Sequence, residues 1–271
     1  MDPSSPDFSA NLRRFTGFAG LYDRHRPAPP AALAGLLIQI ARIARPEWVV
    51  DLGSGTGLST RYWANHAEQV IGIEPTADMR QEAGEQTTAH NVTYREGFSH
   101  QTGLPAACAQ IVSCSQSLHW MEPAGTFREA ARVLRPGGVF AACDYDWPPA
   151  SGSWEADAAY EACMKRVKQL EKDSGSGEGL KRWDKAGHLA RMQASGCFRY
   201  VREATLHHID SGNAERLVGV LLSQGGVMGL LRKNFTEADL GIDALRTVAE
   251  RTLGHDPQPW HWSARVRLGV V

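Results

Sequence analysis

The sequence of 271 residues contains little that points to a metal centre, a disulfide framework or a membrane span. Its five cysteines are odd in number and scattered, and no two of them form a C-x-x-C pair, so neither a structural zinc site nor a set of disulfides is expected. The apolar run over residues 33–44 is interrupted by Gln39 and Arg42 at helical spacing, which leaves it too broken to cross a bilayer. We therefore expect reduced, mostly buried thiols, no metal and no membrane partner.

An excess of charge of either sign is also missing. The 29 lysines and arginines nearly balance the 30 aspartates and glutamates, whereas nucleic-acid-binding proteins usually cluster basic residues. Residues 1–10 are polar and lack an apolar core, so no secretory signal is expected and the predicted location is cytoplasmic. A hydrophobic content of 42% is enough for a packed core, and the chain length favours one large α/β domain over two.

The most informative feature that is present is a glycine-rich stretch after a short apolar run. Residues 48–50 predict a buried strand, Gly53, Gly55 and Gly57 predict a tight turn, and Leu58 begins a helical pattern. Glycines allow a backbone to approach a ligand closely, and the helix that follows presents free N–H groups and the positive end of its dipole. This arrangement suits a nucleotide-like ligand with polar groups.

A second apolar strand at residues 70–73 ends in a carboxylate, Glu74, seventeen residues after Gly57. Two strands joined by a helix form a right-handed βαβ unit, so Glu74 should lie at the same end of the sheet as the glycines and read a ribose diol. Dinucleotides and S-adenosylmethionine both fit such a site. The dinucleotide fingerprint requires a glycine where Leu58 stands, which disfavours that ligand.

Three segments resemble the class I S-adenosylmethionine-dependent methyltransferases, in their small-molecule, type 11-like branch. DLGSGTG at residues 51–57 resembles the family's first motif, and residues 115–120 and 133–139 resemble its fourth-strand and fifth-strand signatures. The resemblance covers residues 15–145 well. It implies a Rossmann-like three-layer α/β sandwich with a mostly parallel seven-stranded sheet, and S-adenosylmethionine as the cofactor.

The resemblance also implies the cofactor-binding residues. Arg26 would pair with the carboxylate of the donor, Glu74 with the ribose, and Met79 with the adenine. Family members usually carry an acid where Phe98 stands, so Phe98 and its neighbour Ser99 would offer an aromatic wall or backbone groups instead. The predicted set is Tyr22, Arg26, Asp51, Gly53, Ser54, Gly55, Thr56, Gly57, Glu74, Met79, Phe98, Ser99 and Ser115. Packing of a capping segment is the alternative for Tyr22 and Arg26, and core packing is the alternative for Met79.

The acceptor pocket is expected after the fourth and fifth strands, where open α/β sheets bind ligands. His119 is the candidate general base, which the reaction needs only if the acceptor must lose a proton. The predicted acceptor-binding residues are His119, Trp120, Tyr145 and Trp147, with Trp183 as a further aromatic candidate. Wall or lid packing is the alternative for all of them. Asp144 and Asp146 are interpreted as solvated turn residues and not as metal ligands.

The rest of the chain is interpreted as parts added to one methyltransferase domain spanning residues 1–271. Residues 1–14 predict a loose arm, residues 15–45 an N-terminal lid segment, and residues 135–138 a breaker cluster before the fifth strand. Residues 146–183 and 213–251 predict helical insertions that form a cap over the carboxyl ends of the strands.

The function predicted from the sequence is methyl transfer from S-adenosylmethionine to oxygen, nitrogen or a carboxylate of a small molecule, by a monomer or homodimer. Residues 115–118 lack the Asp/Asn-Pro-Pro-aromatic motif of nucleic-acid-methylating relatives, so no nucleic-acid partner is expected. Phe98 and Gln110 depart from the family pattern. They leave open a regulatory or assembly protein that binds the donor without turnover. A nicotinamide-dependent oxidoreductase is a weaker third reading.

Overall fold

Seven strands form one sheet in the computed structural model, which describes residues 7–271. The strands are β1 (Trp48–Leu52), β2 (Gln69–Ile73), β3 (Val92–Arg95), β4 (Ala109–Ser115), β5 (Leu134–Tyr145), β6 (Tyr200–Gly212) and β7 (Gln258–Val270). Their order across the sheet is β3-β2-β1-β4-β5-β7-β6. The first five are parallel, and β7 pairs antiparallel with both β5 and β6. This confirms the predicted Rossmann-like, mostly parallel seven-stranded sheet.

Twelve helices surround the sheet within the described part of the chain. They are α1 (Ser9–Phe15), α2 (Ala19–His25), α3 (Ala32–Ala41), α4 (Leu58–Trp63), α5 (Ala77–Glu85), α6 (Pro123–Val133), α7 (Trp154–Asp173), α8 (His188–Ala194), α9 (Ala214–Leu222), α10 (Gly225–Leu231), α11 (Glu237–Leu240) and α12 (Ile242–Leu253). A short 3-10 turn, Leu118–Trp120, follows β4. None of the helices in residues 7–271 is long and apolar enough to span a membrane.

Helices cover both faces of the sheet and create two apolar cores. On one face, α3, α4, α7, α9, α10 and α12 bury their apolar sides, with the fully buried Trp63 of α4 among them. On the other face, α6 and α8 pack over the same strands around Phe127 and Phe140. Strands covered on both faces are buried along nearly their whole length, as β1 and β4 are. The result is three layers.

The predicted loose arm over residues 1–14 is wrong for the part that the structure describes. Helix α1 begins at Ser9. Phe8, which precedes the helix, and Asn11, which lies within it, are both buried. Asn11 donates a hydrogen bond from Nδ2 to the Lys181 carbonyl at 2.7 Å, and its Oδ1 accepts one from the Lys181 N–H at 2.9 Å. These distant partners, invisible in the local sequence, hold the segment on the protein. The first six residues of the predicted arm lie outside the described residues.

The breaker cluster predicted over residues 135–138 follows the end of α6, as expected, but the predicted start of the fifth strand after it is wrong, because β5 runs through the cluster. Gly137 adopts a positive φ of 82°, and its N–H donates to the carbonyl of Val271 at 3.0 Å. The β4–β5 register shifts between Ala109 and Ile111, which absorbs the irregular residues into the strand as a bulge. Glycine and proline therefore mark a bulge here and not a loop.

The predicted cap differs from the arrangement found. The helices of residues 213–251 bury their apolar sides in the core beside α7 and α3, and none of their side chains lines the cavity described below. Helices α1 and α2 provide most of the roof, and residues 146–183 contribute Trp147 at the rim. Large apolar helix faces are more stable against a sheet than over an open cavity, which accounts for this placement.

Candidate active site

A cavity of about 1150 Å³, counting its open mouth, lies at the carboxyl ends of β1, β2 and β4. Its floor consists of the loops that follow these strands, and its roof includes Phe8, Leu12 and Phe15 of the α1 segment and Tyr22 of α2. Open α/β sheets bind ligands at this edge, where the strand order reverses. The cavity is therefore the candidate active site.

The glycine loop after β1 forms one wall of the cavity. Gly53, Gly55 and Gly57 all have positive φ, at 66°, 53° and 84°, which favours glycine at each position. The N–H groups of Gly53 and Ser54 donate to the carbonyl of Ile73 at 2.8 and 3.1 Å, which ties the loop to the end of β2. A Cβ on Gly55 would meet nothing within 4 Å, so the backbone there faces open space.

Glu74 and the glycine loop converge as the βαβ argument predicts. The Gly55 N–H donates to Oε2 of Glu74 at 3.0 Å, and the Thr76 N–H donates to Oε1 at 2.9 Å. Glu74 is only 8% exposed but lines the cavity. Burial raises the pKa of its carboxyl, although the two backbone N–H groups oppose that shift by stabilising the charged form. A partly desolvated carboxylate on the wall of the cavity is an arrangement that suits reading a ribose diol.

Arg26 and Tyr22 line the opposite side of the cavity. The Arg26 guanidinium stacks on the ring of Tyr22 at 4.7 Å and on the ring of Trp147 at 4.6 Å. Its Nε donates to the hydroxyl of Ser223 at 2.8 Å, and its Nη2 donates to the carbonyl of the same residue at 3.0 Å. The guanidinium is thus held close to two aromatic rings at the cavity, where it can receive an anionic group.

Three predicted cofactor-binding residues of the first motif do not line the cavity. The Asp51 carboxylate is fully buried behind the loop and accepts hydrogen bonds from the hydroxyls of Ser59, Thr60 and Ser113 at 2.5, 2.8 and 3.1 Å. Thr56 is buried, and Gly57 packs against Tyr94. Asp51 therefore joins β1, β4 and the start of α4, because its side chain points into the sheet layer and away from the ligand edge.

The burial of Asp51 predicts a pH-dependent stability. Desolvation raises its pKa from 3.8 to about 6, against three hydroxyl donors that lower it. Because the folded protein holds this proton more tightly than the unfolded chain, the contribution to stability is complete below pH 3.8 and is lost as the pH rises through 6. Between pH 4 and 6.5, the unfolding free energy of the unsubstituted protein should fall about 2 kcal/mol more than that of Asp51→Asn.

Urea unfolding at several pH values measures this difference directly. The control is Asp256→Asn, which removes an exposed carboxylate from a surface loop. It should retain the pH dependence of the unsubstituted protein. If the unfolding free energies of Asp51→Asn and the unsubstituted protein changed with pH in the same way, the pKa of Asp51 would not be raised by burial, and the prediction would be contradicted.

The residues predicted for the adenine, Met79, Phe98 and Ser99, do line the cavity. Ser115, which was predicted to bind the cofactor, lines it too. Phe98 is 36% exposed, and its ring is stacked with a neighbouring imidazole at 5.5 Å, that of His100. An aromatic wall thus stands where family members usually carry an acid.

Two of the four predicted acceptor-binding residues do not line the cavity. His119 is 6% exposed, and its Nδ1 lies 3.7 Å from Oδ1 of Asp144. Burial lowers the pKa of His119 well below its ordinary value, and the charges of Lys185 and Arg182 add to that shift. The buried hydroxyl of Tyr145 donates to the carbonyl of Ala28 at 2.6 Å. His119 is therefore a neutral residue behind the cavity wall, because the 3-10 turn after β4 directs it back towards the sheet.

Trp120 and Trp147 line the cavity as predicted, whereas Trp183 does not. Trp120 packs edge-to-face with Phe15 at 5.3 Å and connects the 3-10 turn to the roof. The backbone N–H of Trp183 donates to the carbonyl of His119 at 2.9 Å, so this segment is held behind the same turn. This part of the cavity is thus walled by aromatic side chains from both the sheet edge and α1.

The interpretation of Asp144 as a solvated turn residue is wrong. Strand β5 extends to Tyr145, which leaves Asp144 only 3% exposed. Its Oδ1 lies 2.9 Å from Nζ of Lys185, and its Oδ2 lies 3.2 Å from Nη1 of Arg267. Asp146 is exposed, as predicted, and pairs with Arg265 at 3.0 Å. The two carboxylates thus differ because only the first remains within the sheet.

Several lining residues were missed by reasoning from the sequence. They are mainly the roof residues Phe8, Asn11, Leu12 and Phe15, together with His100 and Gln116. Gln116 lies within the fourth-strand motif and could have been suspected from its place at the strand exit. The roof residues carry no motif, and only the docking of α1 brings them to the cavity.

Comparison with known proteins finds similarity in the part of the chain that contains the glycine loop and Glu74. A family profile described as a methyltransferase domain matches residues 50–142. An uncharacterized methyltransferase of Mycobacterium tuberculosis is 35% identical over 128 residues, covering 46% of this chain and 49% of that protein. The malonyl-[acyl-carrier protein] O-methyltransferase of Pectobacterium atrosepticum is 31% identical over 133 residues, covering 49% and 51%. The chain thus spans about half the length of the curated relatives it matches.

Solved structures share the fold over a longer span. A proposed type II methyltransferase from Anaeromyxobacter dehalogenans aligns with a TM-score of 0.66 at 23% identity, covering 90% of this chain and 97% of that one. The [4+2]-cyclase SpnF aligns with a TM-score of 0.50 at 18% identity, covering 97% of both. Residues 50–142 thus match a methyltransferase domain, and the matched domain, the relatives and the shared fold support a class I S-adenosylmethionine-dependent methyltransferase.

Proposed function

We propose that the protein transfers a methyl group from S-adenosylmethionine to a small-molecule acceptor. The observation that carries the proposal is the hydrogen bond between the Gly55 N–H and Glu74 Oε2 at 3.0 Å on the wall of a large cavity. It supports the proposal because a carboxylate suited to a ribose diol then lies beside a glycine whose Cβ direction meets open space. One relative is named as an O-methyltransferase, which acts on malonyl-[acyl-carrier protein]. An oxygen acceptor is therefore known for that relative and is only a proposal for this protein.

The residues around the cavity fit S-adenosylmethionine. Gly53, Ser54 and Gly55 would lie along the methionine portion, Glu74 would accept from the ribose hydroxyls, and Arg26 would bind the donor carboxylate. Met79, Phe98 and Ser99 would enclose the adenine. When bound, the cofactor supplies an activated methyl group on a sulfonium. The protein then has to align the acceptor and exclude water, which the aromatic roof over the cavity can do.

His119, the predicted general base, does not line the cavity. Among the described residues that line the cavity, the titratable side chains are Tyr22, Arg26, Glu74 and His100. Arg26 and Glu74 have cofactor roles in the proposal, the ring of Tyr22 lies against the Arg26 guanidinium, and His100 is stacked with Phe98 on the adenine side. His119 lies behind the wall. We therefore favour an acceptor that reaches the site already deprotonated, since it needs no base.

A second candidate is a protein that binds the donor without transferring its methyl group. The shared fold of a [4+2]-cyclase favours keeping this candidate, because it shows that the architecture also supports other chemistry. The absence of a family acid at Phe98 and of an aligned base at His119 is compatible with it. The two candidates differ only in whether the demethylated product accumulates.

Titration of the full chain with S-adenosylmethionine, followed by isotopically labelled donor in a metabolite extract, tests the proposal. We expect saturable binding in the micromolar range and transfer of label to a small molecule, with S-adenosylhomocysteine as the second product. Binding without S-adenosylhomocysteine formation would favour the second candidate. No measurable heat at millimolar donor would overturn both.

A further inference from the structure

Gln116 occupies an unusual position at the acceptor side of the cavity. It lines the cavity at the exit of β4 and has a positive φ of 54°, which is uncommon for a residue other than glycine. Its backbone N–H donates to the carbonyl of Cys143 at 2.9 Å, and the next hydroxyl, that of Ser117, donates to the carbonyl of Leu52 at 2.8 Å. Bonds to two neighbouring strands thus hold the strained residue in place, which is typical of functional sites.

The orientation of the Gln116 carboxamide is decided by Lys185. Its Oε1 lies 2.8 Å from Nζ of Lys185, and an ammonium group can only donate hydrogen bonds. The oxygen must therefore face Lys185, and the NH2 group takes the other edge of the amide. Within residues 7–271, the Nε2 atom is buried and has no hydrogen-bond acceptor. A buried donor without a partner is costly, so this group is suited to bind something that the cavity receives.

Lys185 is fixed in turn by buried charges. Its Nζ lies 2.9 Å from Oδ1 of Asp144, and Oδ2 of Asp144 lies 3.2 Å from Nη1 of Arg267. Arg267 also donates from Nε to Oε2 of Glu203 at 2.6 Å. The network places an ammonium behind Gln116 and prevents the amide from rotating, since a rotated amide would turn two donors towards each other.

Carboxylates are almost missing from the lining of the cavity. The guanidinium groups of Arg14 and Arg182 lie over Trp120 at 5.5 and 5.3 Å, but they line a second cavity together with Glu171 and not the acceptor side. The only carboxylate among the described lining residues is Glu74, which the proposed function assigns to the ribose. A cationic acceptor would therefore find no counter-charge on this side.

We propose that the acceptor is a carboxylate on an apolar body, and that Gln116 donates from Nε2 to the carboxylate oxygen that is not methylated. The inference rests on the proposed function. The other oxygen attacks the methyl carbon: a C–O bond forms, the S–C bond breaks with its electron pair remaining on sulfur, and a methyl ester and a neutral thioether result. No proton is released, which agrees with the place of His119 behind the wall. Gln116 binds the acceptor, and Lys185 is a positioning residue.

Binding of matched probes to the full chain tests the proposal independently of turnover. The probes are 3-phenylpropanoate, 3-phenylpropanamide and 3-phenylpropylamine, and decanoate with decylamine, each titrated by calorimetry with saturating S-adenosylhomocysteine present. We expect at least one acid to bind, and each acid that binds to do so about 10-fold or more tightly than its neutral or cationic partner. Failure of both acids to bind at 5 mM, or equal binding of an amine, would overturn the inference.

Three variants separate the role of Gln116 from general stability. Gln116→Glu keeps the size but presents a carboxylate, and should weaken acid binding about 100-fold while improving amine binding. The control Gln101→Glu adds the same charge at an exposed position that does not line the cavity, and should change neither. Lys185→Met should weaken acid binding about 10-fold, and Lys185→Arg should restore much of it. Unchanged acid binding in Gln116→Glu would overturn the proposal.

The proposed function and this inference can fail separately. Titration with S-adenosylmethionine itself should be unchanged within about 3-fold in all variants, because none of the substituted residues is assigned to the cofactor. Normal binding of the donor together with amine-selective probes would overturn the carboxylate inference and leave the proposed function intact. Failure of the unsubstituted protein to bind the donor would overturn the proposed function and the inference that rests on it.

Discussion

Replacing Glu74 with glutamine is expected to weaken binding of S-adenosylmethionine by about 10- to 100-fold while leaving the ligand-free protein nearly as stable as before. Hydrogen bonds from ribose hydroxyls to a carboxylate are charge-assisted and are worth about 1.5–3 kcal/mol, and a carboxamide loses that charge and one acceptor. In the ligand-free protein the substitution has two opposing effects. It removes a carboxylate whose pKa burial raises, and it also removes one acceptor of the Gly55 and Thr76 N–H groups.

Calorimetric titration gives the dissociation constant, and urea unfolding gives the stability of Glu74→Gln, which should change by no more than about 1 kcal/mol. Glu96→Gln is a suitable control, because the side chain of Glu96 is 77% exposed and pairs with Arg80 at 2.9 Å on the surface. Its donor affinity should match that of the unsubstituted protein. An unchanged dissociation constant in Glu74→Gln would show that this carboxylate does not read the ribose, and the cofactor arrangement proposed above would have to be abandoned.

Alanine at Gly57 and alanine at Gly55 should have opposite consequences, although both residues have a positive φ. A Cβ on Gly57 would lie 2.2 Å from Oη of Tyr94, whose hydroxyl is already held by a contact with Thr87 Oγ1 at 2.8 Å. Left-handed backbone strain and overpacking together should lower the unfolding free energy by about 2–5 kcal/mol. At Gly55 only the strain of about 1–2 kcal/mol remains, since the new methyl group meets open space.

That open space is where the donor is proposed to bind, so Gly55→Ala should fold and yet lose most of its affinity for S-adenosylmethionine, by about 10-fold or more. Thermal or urea unfolding measures the first effect for each variant, and donor titration of folded protein measures the second. Gly103→Ala provides a matched control: Gly103 also has a positive φ, of 69°, and an open Cβ direction, but does not line the cavity. Normal donor binding by Gly55→Ala would place the ligand away from the glycine loop.

The departures from prediction have a common origin in contacts between distant parts of the chain. Asp144 is buried because β5 continues past the residues that predict a loop and because Lys185 and Arg267 reach it from later segments. Asp51 belongs to the family's first motif, but its side chain direction is set by the layer in which β1 lies. Neither property is encoded in neighbouring residues, so local patterns could not have revealed them.

What the sequence determined by itself is the central βαβ unit and the ligand edge. Alternating glycines after an apolar run, and an acid at the end of the next strand, require a particular backbone geometry wherever they occur, and right-handed crossover brings them together. The tertiary structure decided which side chains close the cavity. Docking of α1 supplies the roof, the turn after β4 withdraws His119, and Lys185 orients Gln116 from about seventy residues away. These side-chain positions depend on burial and charge pairing between distant parts of the fold, so they cannot be predicted from any short stretch of the sequence.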